Sequence, residues 1–402
     1  MHHFDPSTEI QDNLVFGEYG GVNPSITDSS TYTFLNPEKM KELFDHEIEG
    51  CFLYSRHWNP TNKYLANALA KLENCDSAIV TASGMSAISS AVLQICNAGD
   101  EIVSSRTIYG GTYALFKNFL PRLGINVNFV DTQDLAAIEN SINANTKIIY
   151  CESVSNPLLE IADLPGISKI ANSHNLKLIV DNTFSPISIT PHQVGAHIVV
   201  HSLTKFINGT SDCMGGCVCG DKEFINELTN INSGASMLLG PALDSFRAAS
   251  ILKNLHTLHI RIKKHSENAM YVATELEELG CKVFYPGLDS HKGKVLMNEI
   301  MNEGFGYGGM LAIDAGDSKS ADSLMERLQA NKVGYLAVSL GYFKTLFSSP
   351  CHSTSSEIPK EEQVKMGLSE GLVRMSIGLD NNIEKTFERI KLSLEEVGIL
   401  VY

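Results

Sequence analysis

The chain has 402 residues, 43% of them hydrophobic and 19% charged, with 31 Lys plus Arg against 46 Asp plus Glu for a formal charge of −15. That length exceeds the roughly 250–300 residues that one hydrophobic core organises, so two globular domains are expected, and disorder, collagen and coiled coil are excluded. The acidic balance offers no basic face to nucleic acid or an anionic membrane, no apolar run reaches the ~20 residues that span a bilayer, and the opening lacks signal-peptide regions; a cytoplasmic protein without either partner is expected.

Residues 1 to about 50 carry polar, turn-forming stretches such as Gly20-Gly21-Val22-Asn23-Pro24 and predict an irregular arm. His2 and His3 read as part of a flexible terminus rather than as ligands. From Asn62 to Leu72 the apolar positions recur as in an amphipathic helix. Short β-rich runs then alternate with helical patterns through about residue 220: Ala78–Thr81, Glu101–Ser104, Lys147–Tyr150, Leu178–Asp181 and His197–Val200. Each is apolar on successive positions, which predicts strands covered on both faces in a mostly parallel α/β sheet with helices on both sides.

Gly215 to Gly220 has glycine at both ends and predicts an edge strand. Cys213, just before it, and Cys217 and Cys219 within it have no histidine at ligand spacing, and strand alternation separates neighbours, so buried reduced thiols are expected rather than a metal site. The nine cysteines cannot all pair within one chain, which also favours reduced thiols. Residues 241–280 predict one long helical stretch, and the remainder mixes helices with strands such as Met310–Ile313 and Leu372–Met375. The expected division is an arm over 1–50, a large domain over 51–245 and a smaller C-terminal α+β domain over 246–402.

Ligands of open parallel sheets sit beyond the carboxyl ends of the strands. After the first run comes Ala82-Ser83-Gly84-Met85-Ser86, whose small residues open a helix with free N–H groups suited to an anion. Taken alone, the motif is better explained by an ordinary strand-to-helix turn. Asp181, followed by Asn182-Thr183, ends a buried run and needs a hydrogen-bonding or ionic partner. After the fifth run Ser202 and Thr204 flank Lys205, and a lysine held from water can have a lowered pKa and attack an aldehyde. One sheet rim thus offers an anion site, a carboxylate and an amine, which together suit the phosphate, ring nitrogen and aldehyde of pyridoxal 5'-phosphate.

These residues resemble the pyridoxal-phosphate family of sulfur amino acid metabolism, which includes cystathionine γ-lyase, methionine γ-lyase, cystathionine γ-synthase and O-acetylhomoserine sulfhydrylase. The resemblance rests on Tyr54-Ser55-Arg56 with Asn59-Pro60-Thr61, Ser83-Gly84-Met85, Tyr109-Gly110-Gly111-Thr112, Asp181-Asn182-Thr183 and Ser202-Leu203-Thr204-Lys205. It continues through Ser339-Leu340-Gly341 and Val373-Arg374-Met375-Ser376. It implies the fold type I transferase-like architecture, with Lys205 bonded to the cofactor and then shuttling protons, and Asp181 on the pyridine nitrogen. Ser83, Gly84, Met85, Thr183, Ser202 and Thr204 belong to the implied cofactor site, Asn156 contacts the ring hydroxyl, and Tyr109 stacks on the ring as acid or base. Arg374, aided by Ser339, takes the substrate carboxylate. Tyr54 and Arg56 would reach the phosphate of a neighbouring subunit, which implies a homodimer or homotetramer.

The implied reaction is γ-elimination on cystathionine or methionine, giving 2-oxobutanoate, ammonia and a thiol. The alternative is γ-replacement on O-acetylhomoserine, and a pyridoxal-phosphate-binding protein without turnover or a class I aminotransferase stand further off. The chain departs from the family in three places. Gly111 stands where methionine γ-lyases commonly carry cysteine, Lys344 stands where members often place an acid, and Ser353-Thr354-Ser355-Ser356-Glu357 replaces a usual Thr-His. Lys344 either faces the distal substrate pocket or points to solvent.

Overall fold

All five predicted runs become strands of one seven-stranded sheet: β1 (Ser77–Thr81), β2 (Glu101–Ser105), β4 (Thr146–Glu152), β5 (Lys177–Asp181) and β6 (Ile198–Ser202). The structure, a computed structural model, describes residues 4–400 apart from 35, 46, 47, 49 and 354–357. His2, His3 and Thr354–Glu357, on which two of the expectations rest, lie outside the described residues. Two strands complete the sheet, β3 (Asn126–Val130) and β7 (Gly216–Gly220), in the order β1-β7-β6-β5-β4-β2-β3. Strands β3, β2, β4, β5 and β6 run parallel, and β7 is antiparallel to both of its neighbours.

The expected edge strand is therefore an interior one. All five residues of β7 are buried, and β1 takes the edge instead. A strand made of glycine, valine and cysteine has small side chains that let helices close over both faces, and those covered faces put it inside. Helices Pro60–Leu72 and Gly84–Ile95 both pack on β7. Cys217 and Cys219 are two positions apart and share a face, with sulfurs 3.9 Å from each other. The alternation that separates neighbouring residues does not separate this pair. All nine cysteines are free, and no cluster of three potential metal ligands occurs among the described residues.

The expected helical stretch over 241–280 consists of two helices, Ser245–Leu255 and Leu258–Glu278. At the break the Asn254 carbonyl accepts from Thr257 N–H at 3.2 Å and from the Arg261 guanidinium at 2.9 Å, which satisfies it outside a continuous helical ladder. The N-terminal arm also contains order that its composition did not predict: helices Pro6–Asp12, capped by Asp5, and Pro37–Asp45. No helix among the described residues is long and apolar enough to cross a membrane.

A second, five-stranded sheet follows, with β8 (Val283–Phe284), β9 (Met310–Asp314), β10 (Gly334–Leu336), β11 (Thr345–Ser348) and β12 (Leu372–Ser376) in the order β10-β11-β12-β9-β8. Only β10 and β11 pair in parallel. Strand alternation splits its side chains between two cores. Leu311, Ile313, Val373 and Met375 pack with the helices of this sheet, whereas Met310, Ala312 and Leu372 join the core of the larger one. Arg374 is opposite Ala312 in register, so it shares the face turned toward the seven-stranded sheet.

Candidate active site

A cavity of about 870 Å³, measured with the solvent at its mouth, lies where the rim of the seven-stranded sheet meets that face of the smaller one. Ser83, Gly84 and Met85 line it at the start of helix Gly84–Ile95. The Ser83 hydroxyl accepts from Ser86 N–H at 3.1 Å in a capping box, so the Gly84 and Met85 amides remain without intrahelical acceptors. A Cβ on Gly84 would sit 2.7 Å from that of Ser202, so glycine lets the helix start approach the end of β6. Ser202 and Thr204 line the same corner. A phosphate fits this cradle of two amides and hydroxyls.

Asp181 ends β5 and is buried, with its carboxylate accepting from Thr183 N–H at 2.9 Å. Burial pushes its pKa up against the lowering effect of the Thr183 hydroxyl and amide. A protonated ring nitrogen beside it would supply a positive partner on the cavity side. Thr183 Oγ1 in turn accepts from Ser202 N–H at 2.8 Å, tying the ends of β5 and β6 together.

Lys205 follows β6, and its Nζ donates to Ser339 Oγ at 3.1 Å. Burial, reinforced by the Arg374 charge, brings the amine down to about 8, so a substantial neutral fraction exists near neutral pH. Arg374 is 2% exposed; its Nη1 donates to Asn156 Oδ1 at 2.9 Å and its guanidinium lies 5.9 Å from the centroid of Phe184. Burial lowers it to about 10, still cationic at neutral pH. Tyr109 is 39% exposed at the mouth, with its backbone N–H bound to Glu152 Oε1 at 2.7 Å.

The structure thus brings Ser83, Gly84, Met85, Tyr109, Asn156, Asp181, Thr183, Ser202, Thr204, Lys205 and Arg374 to one cavity, with Ser339 on the lysine. It does not bring Tyr54 or Arg56 there. Tyr54 is exposed, and Arg56 donates to the Met237 carbonyl at 2.7 Å within a separate small pocket. Lys344 is partly buried and does not line the cavity. Sequence reasoning missed Glu152 and the apolar wall of Met214, Val338 and Phe184. It also missed a buried pair behind the sheet, in which His201 Nε2 is 2.6 Å from Glu73 Oε1. Glu152 carries the same signal as Asp181, a carboxylate ending a buried run. Burial and the neighbouring Asp181 push its pKa well above the usual range, against two backbone N–H donors.

Comparison with known proteins agrees with this geometry. A family model described as Cys/Met metabolism PLP-dependent enzyme matches residues 9–392. A methionine gamma-lyase of Arabidopsis thaliana is 42% identical over 394 residues, 96% of this chain and 89% of that protein. A cystathionine gamma-lyase of Bacillus subtilis is 37% identical over 348 residues, 86% of this chain and 89% of its own length. Among solved structures, a Campylobacter jejuni protein assigned provisionally as an O-acetylhomoserine (thiol)-lyase superposes with a TM-score of 0.90 at 30% identity, covering 98% of this chain and all of that one. It was solved with N'-pyridoxyl-lysine-5'-monophosphate at its position 205.

Proposed function

The chain belongs to the Cys/Met metabolism family of pyridoxal-phosphate-dependent enzymes, and from that premise we propose that it catalyses γ-elimination on a sulfur amino acid, with methionine as the preferred substrate. The observation that carries this reading is the convergence of Lys205, Asp181, the Gly84 helix start and Arg374 on one cavity. The cofactor supplies an electron sink for carbanions next to the substrate nitrogen. Arg374 binds both oxygens of the substrate carboxylate with its planar fork, and Asn156 holds that fork in place.

Lys205 Nζ would hold the cofactor's aldehyde, and as a free amine it would remove the α-proton and then move protons at the β-carbon. Tyr109 Oη, at the mouth, delivers a proton to the departing sulfur, so the carbon–sulfur bond breaks to give a neutral thiol. Water releases ammonia and 2-oxobutanoate. The wall beyond the amine is apolar, with Ile88, Met214, Val338 and Leu340, which suits the methyl group of methionine. Cystathionine carries a second ammonium and carboxylate, and this wall offers neither a counter-charge.

Tyr54 and Arg56 complete the phosphate site of a second subunit, in a cytoplasmic homodimer or homotetramer, and the chain divides into domains at about residue 245. The position of Tyr54 and Arg56 outside the chain's own cavity supports the shared phosphate site. The alternative, γ-replacement on O-acetylhomoserine, uses the same residues, and the Campylobacter structure favours keeping it in view. The holoenzyme incubated with methionine, cystathionine or O-acetylhomoserine, with and without sulfide, separates the two. Release of 2-oxobutanoate from methionine alone supports elimination. Homocysteine formed only from O-acetylhomoserine plus sulfide overturns it in favour of replacement.

A further inference from the structure

We propose that Glu152 is a positioning residue whose single carboxylate fixes Tyr109 on one side of the substrate and the Asn156–Arg374 pair on the other. The proposal rests on the reading that Tyr109 and Arg374 serve a sulfur amino acid. Glu152 ends β4 in register with Asp181 on β5, and both carboxylates line the cavity. Asp181 would answer the ring nitrogen, whereas Glu152 is turned to the backbone. Its Oε1 accepts from Tyr109 N–H and its Oε2 from Asn156 N–H, each at 2.7 Å, and the residue is 6% exposed.

Both distances are at the short end of the N–H···O range. The two amides belong to different segments. Tyr109 precedes the short helix Gly110–Ala114, which has no side-chain cap, so the anchor on its backbone comes from β4. Asn156 follows β4 itself and passes the restraint on through its Oδ1 to Arg374 Nη1 at 2.9 Å. One rigid strand end therefore sets the separation between the proton-handling phenol and the carboxylate-binding fork. A glutamine in its place has one acceptor oxygen, and its amide nitrogen faces an N–H donor, so one of the two anchors is lost.

The test is Glu152→Gln in the cofactor-loaded enzyme, with kcat and KM for methionine measured separately. The expected result is full cofactor content with kcat reduced and KM raised, each about tenfold, the loss of one buried hydrogen-bond partner. In a Tyr109→Phe background the further loss in kcat on Glu152→Gln should be much smaller, because both changes act through the same ring. A turnover-free measurement accompanies it: titration with 4-(methylsulfanyl)butanoate, which keeps the carboxylate and thioether of methionine but lacks the amine, read from cofactor absorbance. Weaker binding to E152Q than to wild type supports the clamp.

Unchanged binding together with unchanged kcat and KM in a loaded variant overturns it. Where E152Q does not accumulate as folded protein, Glu152→Asp carries the test. Its carboxylate is one methylene short of reaching both amides, and wild-type kinetics in E152D would also overturn the proposal. If wild type releases no 2-oxobutanoate from methionine, the proposed function has failed, and the titration still decides the clamp.

Discussion

The two sheets reach the cavity in different ways. The seven-stranded sheet brings Asp181, Glu152 and Lys205 to its rim, each at or just past the end of a parallel strand. The smaller sheet delivers Arg374 from the middle of β12, buried between Val373 and Met375 and selected for the cavity only by the alternation of faces. A rim places polar groups where backbone amides and solvent can balance them. A mid-strand cation has no such help and must be held by specific partners, here Asn156 and Phe184. The first region therefore tolerates polar chemistry through architecture, and the second through individual contacts.

The largest expected effect tests what braces the rim from behind. The pair His201–Glu73 is buried behind the sheet, and Asn182, next to Asp181, also donates to Glu73 at 3.1 Å. Removing one member with His201→Ala should destabilise the protein by about 3–5 kcal/mol, because it strands a buried charge. Burial alone would lower the His201 pKa, but Glu73, with smaller effects from Cys217 and Asp181, raises it to about 9 from 6.5. The folded value is the higher one, so the pair's stabilisation is complete below pH 6.5 and is lost as pH rises through about 9. Denaturant unfolding at pH 6 and pH 9 should show wild type losing this contribution and the variant not losing it. A variant with wild-type stability would break the comparison.

A smaller effect is expected on the other sheet. Arg374→Lys keeps the charge but not the two-pronged geometry, and should lower kcat/KM for methionine by roughly 10²-fold, about 3 kcal/mol, mainly through KM. An unchanged KM would show that the fork is not the carboxylate site. The smallest effect concerns Gly111. A Cβ there would meet Tyr109 Cε1 at 2.5 Å and Met85 Sδ at 3.3 Å, so the ring must shift. Gly111→Ala should reduce kcat by roughly three- to tenfold with little change in thermal stability, a modest cost for a displaced reacting group.

The same contrast explains what was legible in the sequence. Apolar runs ending in Thr81, Asp181 and Val200 announce a parallel sheet and its rim, so the anion cradle, carboxylate and amine could be placed from pattern and chemistry alone. Strand β3 escaped because Asn126 and Asn128 alternate with half-buried residues and leave no apolar run. Strand β7 was misplaced because its glycines mark close packing rather than an edge. Arg374 has no local signal: a lone arginine inside an apolar run reads as an exposed residue of a strand, and only the resemblance pointed to it. Glu152 had the signal and was passed over, since a strand-end carboxylate shows its role only when the amides it binds come from distant segments.

The most direct test of the account is where the cofactor attaches. Cofactor-saturated protein reduced with borohydride, digested and analysed by mass spectrometry should carry the pyridoxyl phosphate mass on the peptide containing Lys205 and on no other lysine. Its absence there, or its presence on a different lysine, would contradict the site built from the two sheets.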